Sequence, residues 1–144
     1  MTTAAVEPIF LDTNILVYAS WSVAPLHSQA LAAIQHYEAA GVPLWMSRQV
    51  LREYLATLVR PRVGIPIATL TTEVRQFAAR FQMVEDGPLV TERLLALLEQ
   101  GLSTQIHDTN IVATMQIAGI RQILTNNPTD FAPFASLITV IPLM

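Results

Sequence analysis

The strongest constraint in this chain is the alternation of short apolar runs with helix-like stretches. VEPIFL at 6–11, PLWM at 43–46, RQILT at 121–125 and SLITVI at 136–141 are short runs that read as strands. QMVEDG, following Phe81, reads as a further short strand and turn. Between these runs the spacing changes. Asp12-Thr13-Asn14 breaks the first run, and ILVYA starts a short helix. Residues 27–40 are Ala-rich, with Leu31, Ile34 and Tyr37 at helical spacing and Gly41 as terminator. Ser47 is a good N-cap for a helix over 48–59, whose positions 50, 51, 54, 55 and 58 form one apolar stripe. Pro61 and Pro66 stop it. Further helices are predicted at about 70–81, about 88–100, and from near Asp108 to just before Gly119, with NNPTD as a turn. Strands separated by helices pair in parallel. The predicted class is therefore α/β: a three-layer sandwich with a central, mainly parallel sheet covered on both faces, in one domain over 1–144.

Composition removes other classes. Only 13% of the 144 residues are charged, against roughly 25% in an average soluble domain, and 52% are apolar. That is too apolar for disorder. The net charge of −3 argues against a basic nucleic-acid coat, and the absence of cysteine removes disulfides, zinc–thiolate sites and thiol chemistry. No run of about 18 apolar residues is present to span a membrane. MTTAAVEP has no basic region ahead of an apolar run, so the expected location is the cytoplasm. So few charges on a small domain also predict an exposed apolar patch, which usually marks a partner or subunit interface.

In open α/β sheets ligands bind outside the carboxyl ends of the strands. Asp12 directly follows IFL, Thr125-Asn126-Asn127 directly follows QIL, and Asp130 closes that loop. Asp108 opens a helix whose N-terminus faces the same edge in a right-handed crossover fold. Glu53 points away from the apolar stripe of its own helix and is free to face a cleft. Each residue alone has a plainer role. Asp12 suits a cap or Asx turn, Asp108 a helix first turn, Glu53 a surface pair with arginine, and the Asn127–Asp130 loop a turn beside Pro128. Convergence favours a site: three of the chain's four aspartates, plus Glu53, map to one end of one sheet. Asp86, beside Gly87 and Pro88, reads as turn chemistry.

Clustered carboxylates without a cysteine or histidine partner suit a hard cation, Mg2+ or Mn2+. Such an ion activates water and polarises a phosphoryl oxygen, which makes phosphodiester hydrolysis the natural reaction. No GxSxG, P-loop or HExxH pattern offers another chemistry.

Four segments in order, IFLDTNILVYA at 9–19, SRQVLREYLATL at 47–58, IHDTNIVATMQIAGI at 106–120 and ILTNNPTDF at 123–131, carry a family resemblance over nearly the whole chain. The sequence resembles the PIN-domain ribonucleases, and among them the small VapC-type toxins of toxin–antitoxin pairs. The resemblance implies a metal-dependent endoribonuclease that cleaves RNA with a metal-activated water, leaving 3′-hydroxyl and 5′-phosphate ends. It also implies a cognate antitoxin as partner. Asp12, Glu53 and Asp108 match the family's three principal acids, and Asp12 and Asp108 would hold the metal with Glu53 completing its shell. Thr13 and Asn14 fall in the first motif, where Asn14 would orient a carboxylate. Thr125 matches the small hydroxyl residue after the fourth strand. The fourth acidic position falls to Asp130 or is taken by Asn127. A rival reading is a catalytically weak PIN-like module that binds RNA or protein. A third is a DNA-directed nuclease on the same fold.

Arg48, Arg52, Arg60 and Arg62 lie within 15 residues, opposed only by Glu53, which makes this segment locally +3. An RNA-guiding rim and a solvated or partner-facing surface fit that cluster equally. His107 reads as a helix-start residue at the cleft rim, and His27 and His36 as surface helix residues. Trp21, Trp45, Tyr54, Phe77 and Phe81 read as core or interface, and the apolar composition suits a homodimer.

Overall fold

The computed structural model describes residues 6–144. Residues 1–5, which hold most of the N-terminal stretch read above as lacking a leader, lie outside the described residues. Five strands form one sheet: β1 (Ile9–Leu11), β2 (Leu44–Ser47), β3 (Gln82–Val84), β4 (Gln122–Thr125) and β5 (Thr139–Pro142). Their order is β3-β2-β1-β4-β5, and every pairing is parallel. All three residues of β1 are buried. Successive side chains of a strand face opposite sides, so both faces of the sheet are covered.

The helices are α1 (Thr13–Ser20), α2 (His27–Ala39), α3 (Arg48–Leu58), α4 (Ile67–Arg80), α5 (Pro88–Glu99), α6 (Ile106–Ala118) and α7 (Pro128–Phe131), followed by a 3-10 turn at Ala132–Phe134. Ser47 caps α3 by accepting from the Val50 N–H at 3.3 Å. Gly119 ends α6 in the left-handed region, φ 72°, which glycine adopts without steric cost. Tyr54, Phe77 and Phe81 pack in the core, with Tyr54 edge-on to Phe77 at 5.4 Å.

Several boundaries differ from expectation for identifiable reasons. β1 begins only after Pro8, which has no N–H to give a ladder. α4 starts three residues early because the Pro66 carbonyl accepts from Thr69 and Leu70 and opens the helix. NNPTD is not a bare turn. Pro128 takes the first position of α7, and Phe131 and Phe134, both fully buried, anchor the segment to the core. β5 runs through Pro142, which is tolerated because β5 is an edge strand.

The strand order places the site. The chain moves outward from β1 to β2 to β3, then returns to lay β4 on the other side of β1. Connections therefore leave β1 and β4 in opposite directions, and a crevice opens beyond their carboxyl ends.

Candidate active site

Asp12 stands at that crevice. Its N–H still donates to the Leu124 carbonyl at 3.1 Å, so the β1–β4 ladder fixes it before α1 begins. Its side chain is nearly buried, 7% exposed. Oδ1 accepts from the Thr13 N–H at 2.8 Å, so the capping role expected of an aspartate here is real. Oδ2 accepts from Thr125 Oγ1 at 2.7 Å and from Asn14 Nδ2 at 3.2 Å. The fully buried Thr125 hydroxyl in turn accepts from the Asn127 N–H at 3.0 Å, and Asn14 Oδ1 accepts from the Asn126 N–H at 3.1 Å. The first motif and the β4 loop are thus one hydrogen-bonded unit.

A cleft of about 330 Å3 opens over this unit, lined by Asp12, Glu53, Asp108 and Asp130 together with Thr13, Asn14 and Asn127. Val17, Tyr18, Trp21 and Thr57 complete its lining, so the cleft has an apolar and aromatic wall. Both candidates for the fourth position, Asn127 and Asp130, are exposed and reach the cleft. Glu53 is fixed by Thr13 Oγ1, which donates to its Oε2 at 2.9 Å, and by Gln49 Nε2, which donates to its Oε1 at 2.7 Å. Asp108 is half-buried in the first turn of α6.

Among the described residues no arginine, lysine or histidine lines the cleft, so its four carboxylates face one another without a cation in the lining. The consequence is electrostatic. Burial pushes the Asp12 carboxyl up to about 6 from 3.8, against the opposing hydrogen bonds from Thr125 and Thr13, with Asp108 and Glu53 adding repulsion. Burial also raises Asp108, helped by the charges of Asp130 and Glu53 and opposed by His107. The donor set is all oxygen, as a hard cation requires. Among the described residues no three acids or histidines are drawn together tightly enough to cage an ion by themselves. Mg2+ does not need such a cage, since it keeps several waters and is held through one or two carboxylates.

The arginines divide. Arg48 makes a two-pronged bond to Glu85, at 2.8 and 3.1 Å, and Arg52 lies 3.6 Å from Asp86. The sequence count that opposed this segment with Glu53 alone is therefore corrected: the turn after β3 supplies two more acids. Arg60 and Arg62 are exposed, with no ion pair among the described residues. His107 is exposed at the start of α6, while His27 is only half exposed, its Nδ1 2.7 Å from the Tyr18 carbonyl. Three residues in or behind the cleft were missed in the sequence. Gln49 had a usable signal, since it lies one helical turn before Glu53. Asn110 had none, because its partner is 61 residues away. Trp21, read as core or interface, lines the cleft.

Solved structures share the fold. The chain is similar to a toxin–antitoxin complex from Klebsiella pneumoniae, with 21% identity, TM-score 0.67, and 94% of this chain and 98% of that chain covered. It is similar to VapC20 of Mycobacterium tuberculosis, described as a sarcin–ricin loop cleaving toxin, with 16% identity, TM-score 0.65, and 91% and 96% covered. DNA-bound VapBC from Salmonella typhimurium gives 14% identity, TM-score 0.65, and 96% and 100% covered. Among curated proteins, none matches the chain in sequence. The PIN-domain model matches residues 9–135, from the first residue of β1 to the residue after the 3-10 turn. The chain belongs to the PIN-domain family.

Proposed function

We propose that this chain is a Mg2+- or Mn2+-dependent endoribonuclease and the toxin of a toxin–antitoxin pair, acting in the cytoplasm. The observation that carries the reading is the cleft itself: four carboxylates, one of them almost buried, gathered at the sheet's switch point with no cationic side chain lining it among the described residues. Such a cluster opposes folding and repels RNA unless a divalent ion enters it. Asp12 and Asp108 would hold the ion, with Glu53 and Asp130 or Asn127 bonding to its waters. When bound, the ion supplies an activated water and neutralises charge on the phosphoryl oxygens.

The chain's own groups do the rest. Thr13, Asn14 and Thr125 orient Asp12 by donating to both of its carboxylate oxygens. Tyr18 and Trp21 give the cleft aromatic side chains on which a base beside the scissile phosphate would stack. Of the four clustered arginines, Arg60 and Arg62 have no ion pair among the described residues and would attract the strand, whereas Arg48 and Arg52 must first leave Glu85 and Asp86. Leu89 and Leu95 on α5 and Ile106 on α6 are exposed apolar side chains, which suits a homodimer and an antitoxin interface. Several structural neighbours are themselves toxin–antitoxin assemblies.

The test is RNA cleavage with Mg2+ or Mn2+, together with growth inhibition on expression. Asp12→Asn and Asp108→Asn should abolish both. Persistence of both in either variant refutes the assignment. One observation favours the weaker rival, a PIN-like binding module: the acids do not form a closed ligand set among the described residues. Calorimetry decides, since absence of Mn2+ binding at millimolar concentration supports the binding module. Competition between RNA and DNA oligonucleotides separates the nucleic-acid class.

A further inference from the structure

Glu53 owes its aim to two residues outside the acid cluster. Gln49 lies one turn earlier on α3 and is buried, 6% exposed. Its Nε2 donates to Glu53 Oε1 at 2.7 Å and to the His107 carbonyl at 2.9 Å. Its Oε1 accepts from Asn110 Nδ2 at 2.7 Å. Both amide hydrogens and the carbonyl are therefore used, and a flipped amide would set oxygen against two acceptors and nitrogen against a donor. The orientation is forced.

The other Glu53 oxygen, Oε2, accepts from Thr13 Oγ1 at 2.9 Å. The carboxylate is thus bracketed by one donor on each oxygen. Gln49 is in turn held by α6, two residues beyond Asp108. Without that bracket, a half-exposed glutamate facing Asp12 and Asp108 across one cleft would be repelled and turn toward water. A purely structural role would need only the bonds of Gln49 to the His107 carbonyl and from the Asn110 amide, which tie α3 to α6. The bond to Glu53 is additional to that.

We propose that Gln49, locked by Asn110, is a positioning residue that holds the Glu53 carboxylate in the acidic cleft at a fixed place relative to Asp108. This rests on the nuclease reading above. The test is a double-mutant cycle of Gln49→Met, which keeps volume and loses the amide, with Glu53→Gln. It is read by kcat and KM on an RNA oligonucleotide and by calorimetric Mn2+ affinity.

Gln49→Met should lower kcat and weaken Mn2+ binding, each about 10–100-fold, the usual effect of losing a group that orients a metal ligand. KM should hold within about twofold, and adding Gln49→Met to Glu53→Gln should change nothing by more than about twofold. Asn110→Ala, which frees the amide to flip, should show a smaller loss of the same pattern, and serves if Gln49→Met does not fold. Full additivity with Glu53→Gln, or unchanged kcat and Mn2+ affinity in both variants, overturns the proposal. Loss of Mn2+ binding in Glu53→Gln but not in either bracket variant overturns it while leaving the nuclease reading intact. A wild-type chain that neither binds Mn2+ nor cuts RNA overturns both.

Discussion

The charge on Asp12 should make the metal-free protein less stable as pH rises. In the fold the carboxyl titrates at about 6 rather than 3.8, because burial outweighs its hydrogen bonds. A shift of roughly two units corresponds to about 3 kcal/mol between the two protonation states. The sign follows from linkage. Below about pH 4 the group is protonated folded and unfolded, and costs nothing. Between about 4 and 6 the unfolded chain releases its proton while the folded chain keeps it, so stability falls with rising pH. Above about 6 the full loss is present. Other carboxylates titrate in the same range, and Glu38 and Glu85, lowered by their bonds to Arg80 and Arg48, act in the opposite direction. Comparison with Asp12→Asn cancels them. An asparagine must set its amide against either the Thr13 N–H or the Asn14 amide, which costs about 1–3 kcal/mol but does not vary with pH. The stability of Asp12→Asn relative to wild type should therefore rise by about 3 kcal/mol from pH 4 to pH 7.5. At about 2–4 °C per kcal/mol for a chain of this size, the melting difference should change by about 6–12 °C. Urea denaturation followed by circular dichroism, with a chelator present, measures it. Parallel curves for the two proteins across that range would refute the burial argument.

Other outcomes follow from the same contacts. Thr125→Val removes the donor to Asp12 and the acceptor for the Asn127 N–H; it should cost about 1–3 kcal/mol in urea melts and move the Asp12 transition to higher pH. Arg60→Ala and Arg62→Ala should each weaken RNA binding and reduce its logarithmic salt slope by about 1, read by fluorescence anisotropy over a salt series. Arg48→Ala should change RNA affinity less, because its guanidinium is engaged by Glu85, and loss of so exposed a pair should leave the urea midpoint nearly unchanged. Trp21→Ala should raise KM for an RNA oligonucleotide with little change in kcat, and a pure kcat loss would remove Trp21 from the binding wall.

What the sequence made legible was whatever depends on neighbours along the chain. The apolar runs marked β1, β2, β4 and β5, and the residue after a run sits at a strand's carboxyl end whatever the rest does. That places Asp12 and the Thr125 loop at one edge from sequence alone. Contacts that need two elements to meet in space were not legible. Nothing near Arg48 and Arg52 announces Glu85 and Asp86, which arrive with β3 from more than 30 residues away. Likewise the Gln49 bracket exists only because α3 meets α6. Short-range rules also misread Asn127–Asp130, where two buried phenylalanines decide the backbone more strongly than Asn-Pro turn preference.

The plainer role of Asp12, a helix N-cap, proves compatible with the site and insufficient to explain the residue. Serine or asparagine caps a helix as well as aspartate does, and threonine nearly so. None of them carries a charge into a buried position facing Glu53 and Asp108. Capping alone therefore leaves a cost of about 3 kcal/mol unexplained. A cation in the cleft would turn that cost into binding energy, because the ionised form disfavoured in its absence is the form that ligates. The same reasoning reinterprets the net charge of −3. Four of the 11 acids lie in this one cleft, and without them the arginines are in slight excess. The acidity is local, where an ion would meet it, and the bulk charge by itself does not oppose a polyanionic substrate.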